Sequence, residues 1–228
     1  MKIIELPIEF EFHGQKNYIY PSLIILNHEL TLVDTGYTNF LPLIENQMMK
    51  SGYGMKDLKN IIITHYDDDH IGSLYEFKEK YPWVHLIASE TESPFISGEK
   101  KSERLVQAEE RLETLSNEEK EFGKWFIRQL ESLKHVPIDE KVHDGELILE
   151  NTCKVVATPG HTSGHISLYF PSIQSVITGD AAVNENHSLV IANPHFCLDI
   201  VKAEQSLTKI KKLKAKHYYC YHGGKLTL

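Results

Sequence analysis

The segment THYDDDH, residues 64–70, concentrates side chains that can bind metal ions or move protons. It directly follows a short apolar run that predicts a buried strand. Because a strand projects alternate side chains to one side, His65 and Asp67 can converge on one point beyond the strand end. Asp69 and His70 follow where a helix should begin, so they can serve a second, neighbouring point. A simpler interpretation is that the aspartates only favour a helix N-terminus beside unrelated histidines.

Three further segments place similar groups at predicted strand ends. One apolar strand leads into a Pro-Gly turn that presents His161, a second presents Asp180, and a third presents His222. Binding and catalytic residues are commonly found on loops at one rim of a sheet scaffold. Imidazole and carboxylate groups at four strand ends therefore predict a shared site more strongly than any one of them does. His165, four residues after His161, is either a partner of this site or an ordinary turn residue.

These motifs resemble the metallo-β-lactamase-fold hydrolase superfamily, whose pattern is H-x-H-x-D-H followed by His, Asp and His on later strand ends. The similarity runs from VDTG (33–36) through 64–70, TPGHTSGH (158–165) and TGD (178–180) to His222. It therefore covers nearly the whole chain. The resemblance implies an α/β fold, the αββα four-layer sandwich of two mixed β-sheets flanked by helices, with a dinuclear metal site at one rim.

The resemblance also implies a role for each matching residue. These residues form two sets of three ligands and one bridge: His65, Asp67 and His161 for the first ion, Asp69, His70 and His222 for the second, and Asp180 between the ions. Asp69 would in addition be catalytic, because it would orient the nucleophilic hydroxide and accept its proton. Asp34 matches a family aspartate that lies behind the site and supports the ligands.

The sequence departs from the commonest family pattern at Asp67, which stands where histidine is usual. A carboxylate can ligate zinc at about 2.0–2.2 Å, so the substitution does not break the site. It does add negative charge and a harder oxygen ligand, which shifts the metal preference towards Mn or Fe. We therefore expect two divalent metal ions, with zinc as the first expectation and Mn or Fe as alternatives.

The implied chemistry is hydrolysis. Two ions about 3.5–4 Å apart would polarise a carbonyl or phosphoryl oxygen and hold a hydroxide of lowered pKa as nucleophile. We expect a metal-dependent hydrolase that acts on a small-molecule ester, lactone or thioester. Two alternatives stay open. The family's diiron redox members also carry a carboxylate at the position of Asp67, and a regulatory protein could keep the fold and bind a metal or ligand without turnover.

Composition limits the class of protein and its partners. The 228 residues include 24 Lys and Arg against 32 Asp and Glu, a net charge of −8, and 41% are hydrophobic. Such a chain can bury a core of its own, and its acidic balance argues against a nucleic-acid partner. Apolar runs fall short of the ~20 residues that cross a membrane. Acidic residues make the N-terminal stretch a poor signal peptide, and three widely spaced cysteines do not form a disulfide framework, so we expect a cytoplasmic protein. Its expected partner is a small-molecule substrate.

The elements that position the site follow from hydrophobic periodicity. Strands are predicted at 3–12, 17–25, 29–36, 61–63, 84–88, 142–148, 153–158, 166–170, 174–178 and 217–221. Helices are predicted at 40–51, 69–80 and 199–214. The loop 181–198 between the last strands and the last helix is expected to be solvated, and its alternative role is contact with a substrate.

Residues 99–134 form a Glu- and Lys-rich helical insertion within a single domain spanning 1–228. Two helical stripes run through it, and Ser116 followed by Glu119 predicts a capping box at the start of the second helix. The favoured interpretation is a helical hairpin packed on the core. The alternative is a lid whose aromatic face walls a substrate pocket, a face made of Phe122, Trp125 and Phe126.

Overall fold

A computed structural model of the chain describes residues 1–12 and 14–228, and the elements named here lie within them. The strands are, in chain order, β1 (Lys2–Glu5), β2 (Ile8–Phe12), β3 (Gln15–Ile19), β4 (Ser22–Leu26), β5 (Glu29–Val33), β6 (Leu58–Ile63), β7 (His85–Ser89), β8 (Glu140–Val142), β9 (Leu147–Ile148), β10 (Cys153–Ala157), β11 (Ile166–Phe170), β12 (Ser175–Gly179), β13 (Val183–Glu185), β14 (Ser188–Val190), β15 (His217–Cys220) and β16 (Gly224–Thr227). The α-helices are α1 (Leu41–Lys50), α2 (Asp68–Ile71), α3 (Leu74–Lys80), α4 (Ser93–Ile96), α5 (Glu103–Leu112), α6 (Asn117–Ser132) and α7 (Ile200–Lys212). Single turns of 3-10 helix lie at Met55–Asp57, Pro171–Ile173 and Pro194–Phe196.

Two mixed sheets of six strands each form the frame of the fold. The first has the order β1-β4-β5-β6-β7-β8 and the second the order β16-β15-β12-β11-β10-β9. In the first sheet β5, β6, β7 and β8 run parallel to one another, and in the second β12 is parallel to β15. Parallel neighbours end at the same edge of a sheet. The loops after β5 and β6, and those after β12 and β15, therefore leave their sheets side by side.

The unbroken apolar run in β6 reflects burial on both faces of its sheet. Ile62 packs in the layer between the sheets, in the same cluster as Leu168 of β11. Its neighbours Ile61 and Ile63 face the other way and pack in the layer that contains Phe77 of α3. A strand that is covered on both faces has no position for a polar residue, which explains the run of isoleucines.

Helices cover the outer face of each sheet. On the first sheet, α1 and α3 contribute Ile44 and Phe77 to the outer core. On the second, Val176 of β12 and Tyr218 of β15 pack with Ile210 of α7. The layers are thus helix, sheet, sheet and helix, and the predicted αββα sandwich is confirmed.

Two predicted strands near the N-terminus are each divided in two. The segment 3–12 forms β1 and β2 with Pro7 between them, and 17–25 is split between β3 and β4 beside Pro21. Proline has no N–H to donate to a ladder, so a strand is interrupted at these positions. The strands β2 and β3 pair with each other as a separate hairpin.

The predicted helix over 69–80 is also divided, into α2 and α3. The break lies at Gly72, where an added Cβ atom would stand 2.3 Å from the backbone nitrogen of Thr38. This close approach holds the start of the segment against the turn that follows β5. The predicted strand over 142–148 is likewise two short strands, β8 and β9, because the chain turns at Gly145 with a φ of 85°.

The insertion 99–134 forms two helices, α5 and α6. Ser102 caps α5 by accepting a hydrogen bond from the backbone nitrogen of Leu105, and Ser116 and Glu119 form the predicted capping box of α6. The loop predicted at 181–198 contains the hairpin β13–β14, and the additional strand β16 follows β15. In the described part of the chain, every helix is too short or too polar to cross a lipid bilayer.

Candidate metal centre

The loops after β6, β10, β12 and β15 meet at one point, and together they carry all the predicted ligands. The segment after β6, a loop that runs into α2, supplies four residues: His65, Asp67, Asp69 and His70. The other three loops supply one residue each: His161, Asp180 and His222. All of these side chains are buried except that of His222, which is 36% exposed. Backbone topology therefore collects residues that are up to 157 positions apart (222 − 65).

The potential ligand atoms fall into two groups, each with atoms within 4.8 Å of one another. The first group consists of His65, His161 and Asp180. The second group consists of Asp69, His70 and His222. Imidazole nitrogen and carboxylate oxygen together suit divalent transition metals, so each group has the chemistry of one metal position.

Asp180 belongs to the first group and also contacts the second. Its Oδ1 atom lies 3.4 Å from Nε2 of His70 in the second group. Its Oδ2 atom lies 3.5 Å from Nε2 of His161 in the first group and 3.5 Å from Nε2 of His222 in the second. One carboxylate therefore contacts histidines of both groups.

Asp67 lies beside the first group and is held by a cation. Its Oδ2 atom is 2.9 Å from Nε2 of His161 and 3.6 Å from Nε2 of His65. The same oxygen accepts a hydrogen bond of 2.8 Å from Nη2 of Arg104, a residue of α5. Burial opposes the charged form, but the Arg104 guanidinium together with contacts from His161 and His65 outweighs it and holds the pKa of Asp67 well below its usual range. Asp67 is therefore an ionised carboxylate whose charge is balanced by the insertion.

Three buried atoms of the site have no hydrogen-bond partner among the described residues. They are Nε2 of His65, Nε2 of His70 and Oδ1 of Asp180. A buried polar atom without a partner costs about 1–3 kcal/mol, so such atoms are rare unless something else satisfies them. All three face the meeting point of the groups, and a metal ion would satisfy each of them. The donor set therefore fits divalent metal ions.

Asp34 orients the loop after β6 from behind. Its Oδ1 atom accepts a hydrogen bond of 2.8 Å from the backbone nitrogen of Thr64, and its Oδ2 atom accepts one of 2.9 Å from the Thr64 hydroxyl. Oδ2 also lies 2.9 Å from Nδ1 of His70. A carboxylate at Nδ1 leaves Nε2 to face the centre, which is the usual arrangement behind a metal-binding histidine.

His165 orients Asp180 and is more than a turn residue. It is fully buried, and its Nε2 atom accepts a hydrogen bond of 2.9 Å from the backbone nitrogen of Asp180. Its Nδ1 atom lies 2.8 Å from the Thr158 hydroxyl. Burial lowers the pKa of His165 well below its usual value, so the ring stays neutral and can accept this bond. Gly179 permits the contact, because an added Cβ atom would stand 2.6 Å from Nε2 of His165.

Glu92 ties the loop after β6 to the loop after β10. Its Oε2 atom accepts a hydrogen bond of 2.9 Å from the backbone nitrogen of Tyr66. Its Oε1 atom accepts one of 2.8 Å from the Thr162 hydroxyl and another of 2.8 Å from the backbone nitrogen of Gly164. The side chain is completely buried, and this burial raises its pKa to about 8 against the opposing effect of the hydrogen bonds. Glu92 thus fixes the spacing of the loops that carry His65 and His161.

We expect Glu92→Gln to lower the free energy of unfolding by about 1–3 kcal/mol, because the amide nitrogen would leave a buried donor unsatisfied. Urea denaturation at about pH 9, above the pKa of Glu92, where the carboxylate is ionised and accepts all three bonds, measures this change. Glu90→Gln is the matched control, since the Glu90 side chain is 65% exposed and should tolerate the substitution. Unfolding of Glu92→Gln at the wild-type urea concentration would show that Glu92 does not hold the two loops together.

A cavity of about 400 Å³ opens beside the two groups. Its lining includes Asp67, Asp69, Asp180 and His222. Aromatic side chains form much of its wall: Phe12, Tyr37, Phe122, Trp125, Phe126 and Phe196. The insertion therefore walls a pocket, as its less favoured interpretation predicted, while its movement as a lid stays a prediction. Asn193 of the loop 181–198 also lines the cavity.

Sequence patterns did not single out Arg104 or Glu92. Arg104 is one of several charged residues in a Glu- and Lys-rich helix, and its partner lies 37 positions earlier. Glu92 stands in the short segment between β7 and α4, which carries no periodic pattern. The feature that distinguishes both residues is burial of a charged side chain, and burial of this kind depends on the tertiary structure.

The chain is similar to known proteins over most of its length. The sequence model of the metallo-beta-lactamase superfamily matches residues 17–222. "Probable metallo-hydrolase YflN" of Bacillus subtilis (strain 168) is 26% identical over 212 residues, which are 88% of this chain and 77% of that protein. "Probable metallo-hydrolase YybB" of the same organism is 23% identical over 201 residues, which are 87% of this chain and 77% of that protein.

A solved structure has the same fold. A metallo-beta-lactamase family protein from Thermus thermophilus superposes with a TM-score of 0.73 and 21% sequence identity. The superposition covers 99% of this chain and 74% of that chain. At 21% identity this comparison shows that the two proteins share a fold.

Proposed function

Because the chain belongs to the metallo-beta-lactamase superfamily, we propose that it is a metal-dependent hydrolase acting on a small-molecule ester, lactone or thioester. The observation that carries this proposal is the position of Asp180 between two groups of buried imidazole and carboxylate side chains. These groups lie beside a cavity of about 400 Å³, within the range of small-molecule sites. The net charge of −8 favours a small molecule over a nucleic acid as the partner.

We assign two divalent metal ions to the centre, one to each group. The proposed ligands are His65, Asp67 and His161 for the first ion, Asp69, His70 and His222 for the second, and Asp180 for both. Zinc is the proposed metal because imidazole and carboxylate both suit it, with Mn or Fe as alternatives. The extra charge of Asp67 is balanced by Arg104.

When bound, the ions would supply Lewis acidity and lower the pKa of a water molecule. The side chains of the chain would do the remaining work. Asp69 lines the cavity, and there its carboxylate would orient the nucleophile and accept its proton. Tyr221 holds that segment in place by donating a hydrogen bond of 2.5 Å to the backbone oxygen of Asp69. The aromatic wall would bind the apolar part of the substrate and exclude bulk water.

A substrate screen of zinc-loaded protein tests the proposal. The panel contains esters, lactones, thioesters and phosphodiesters, each with and without prior chelation of the metal. We expect turnover of at least one ester, lactone or thioester, and loss of that turnover on chelation. Turnover of phosphodiesters alone would contradict the proposed substrate class.

The same preparation distinguishes the other functions of this fold. Metal-dependent absorbance changes with dioxygen or a reductant, without hydrolysis, would identify a redox protein. Saturable ligand binding with neither hydrolysis nor redox change would identify a binding protein. Either result would contradict the hydrolase proposal.

We expect metal binding to release protons and to strengthen as the pH rises. Against the effect of burial, contacts with Asp67 and Cys197 raise the pKa of His161 to about 9, and contacts with Asp180 and Asp69 raise that of His222 to about 10. Both rings are therefore protonated in the metal-free protein at pH 7 and must lose a proton to bind a metal. The proton penalty falls as the pH approaches these pKa values, so the affinity should rise up to about pH 9–10.

Calorimetric titration with zinc in buffers of different protonation enthalpy measures the number of protons released. His28→Asn is a suitable control, because His28 is exposed and its φ of 70° suits asparagine. This variant should release as many protons as the wild type. An affinity that stays constant between about pH 7 and pH 9, without proton release, would contradict the assignment of these two ligands.

A further inference from the structure

Arg104 brings a permanent positive charge from the insertion to the first ligand group. The side chain is 2% exposed, and its guanidinium makes a close ion pair with Asp67. Nη2 donates a hydrogen bond of 2.8 Å to Oδ2, and Nε lies 3.2 Å from Oδ1 and 3.3 Å from Oδ2. Nη1 donates one of 2.6 Å to the side-chain oxygen of Gln107. These bonds fix the guanidinium in one position.

The same guanidinium is close to a second proposed ligand of the first ion. Nη2 lies 3.5 Å from Nε2 of His161 and 3.5 Å from the backbone oxygen of that residue. An arginine side chain cannot lose its proton within a protein, so its charge persists at every pH that the fold tolerates. A divalent ion held by His161 and Asp67 would therefore be repelled by a neighbouring cation. It would also share the carboxylate with that cation.

Carboxylates predominate around the second group. His70 lies 2.9 Å from a carboxylate oxygen of Asp34, 3.6 Å from one of Asp69 and 3.4 Å from one of Asp180. His222 lies 3.2 Å from an oxygen of Asp69 and 3.5 Å from one of Asp180. A cation placed there would be attracted by several carboxylates. The two groups thus differ in charge although their ligand types are similar.

We propose that Arg104 makes the two metal positions unequal, because it competes with the first metal ion for Asp67. The second position then fills at low free metal, and the first fills only at higher free metal. Since Arg104 belongs to α5, occupancy of the first position depends on how the insertion packs against the centre. This inference rests on the proposed function, which requires both positions.

Equilibrium dialysis against solutions of buffered free zinc tests the inference without any substrate. The wild type should bind two ions per chain in two steps, separated by at least about tenfold in free zinc. In Arg104→Met the weaker step should move to free zinc at least about tenfold lower, because the competing cation is gone, while the tighter step stays in place. In Arg104→Lys the weaker step should remain weak, since the positive charge is retained.

Arg111→Met is the matched control for the charge change. Arg111 belongs to the same helix and donates a hydrogen bond to the backbone oxygen of His195, outside both groups. Its removal should leave both binding steps unchanged. A shift of the weaker step in Arg111→Met equal to that in Arg104→Met would overturn the inference, because the effect would then come from the net charge.

A second pair of variants avoids an unpaired Asp67 and keeps the test valid if Arg104→Met does not fold. Asp67→His alone places an imidazole beside the Arg104 cation, so its weaker step should remain weak. Asp67→His combined with Arg104→Met supplies the imidazole without the cation. In that double variant the two steps should lie close together. Equal weaker steps in the single and the double variant would overturn the inference.

The outcomes for the inference and for the proposed function are distinct. Two equal steps in the wild type, or a weaker step that does not move in Arg104→Met, would overturn the inference and leave the hydrolase proposal standing. Failure of every variant and of the wild type to bind zinc, manganese or iron would overturn the proposed function itself.

Discussion

Asp180→Asn is expected to lower turnover of the substrate found in the screen by more than about a hundredfold. Even partners of metal ligands change affinity or activity by about 10–100-fold when they are substituted, and Asp180 contacts histidines of both groups. The strand that carries it is held by other residues, because Val176 and Ile177 of β12 are buried in the outer and inner cores. Thermal stability should therefore fall far less than turnover. Steady-state kinetics and thermal unfolding of the same preparation measure both quantities.

Asp199→Asn serves as the control for this substitution. Asp199 is the N-cap of α7 and its side chain is 40% exposed, and asparagine caps helices about as well as aspartate. This variant should keep wild-type turnover. If Asp180→Asn hydrolyses the substrate at the wild-type rate while it still binds two ions, the assignment of Asp180 as the bridge is wrong.

Asp67→Asn is expected to destabilise the metal-free protein by about 3–5 kcal/mol, the usual cost of breaking a buried ion pair by removing one partner. The reason is that Arg104 is 2% exposed and would keep its charge without a carboxylate to balance it. Urea denaturation of the metal-free proteins measures the loss. Arg104→Met introduced into the Asp67→Asn variant should restore much of the lost stability, because the unpaired charge is then removed.

The exposed ion pair between Lys209 and Asp144 provides the comparison. Exposed pairs contribute little to stability, so Lys209→Met should change the free energy of unfolding far less than Asp67→Asn does. A small and equal loss in both variants would contradict the buried, fixed pairing of Asp67 with Arg104.

The predicted ligands could be identified from the sequence because each of them follows a short apolar strand. Such a strand has a recognisable composition, and the polar residue at its end stands out against it. His65, His161 and Asp180 are brought together because their strands end at the same rim. The roles of these residues as metal ligands stay a prediction.

The partners of these ligands could not be identified in the same way. The pairing of Arg104 with Asp67 joins an insertion helix to a strand-end loop, and no local pattern connects residues 37 positions apart. Glu92 likewise acts through three hydrogen bonds to residues that only the fold brings near it. In both cases a charged side chain that would ordinarily be assigned to the surface is buried at the site.

The boundaries of elements differ from the predictions where tertiary contacts or very short strands decide them. The predicted helix over 69–80 is divided into α2 and α3 because Gly72 lies close to Thr38. Hydrophobic periodicity carries no information about this contact. The hairpin β13–β14 has strands of three residues, too short for an alternating pattern to be distinguished from a loop. By contrast, the interruptions beside Pro7 and Pro21 have a direct cause in the sequence.

The most direct test of a two-metal centre is the number of ions bound per chain at saturating free zinc. Elemental analysis of the dialysed wild-type protein, normalised to the protein concentration, measures this number. The two groups and the bridging position of Asp180 predict a value close to two, and Asp180→Asn should bind less. A wild-type protein that binds no zinc, manganese or iron under these conditions would contradict the metal centre and the hydrolase proposal that depends on it.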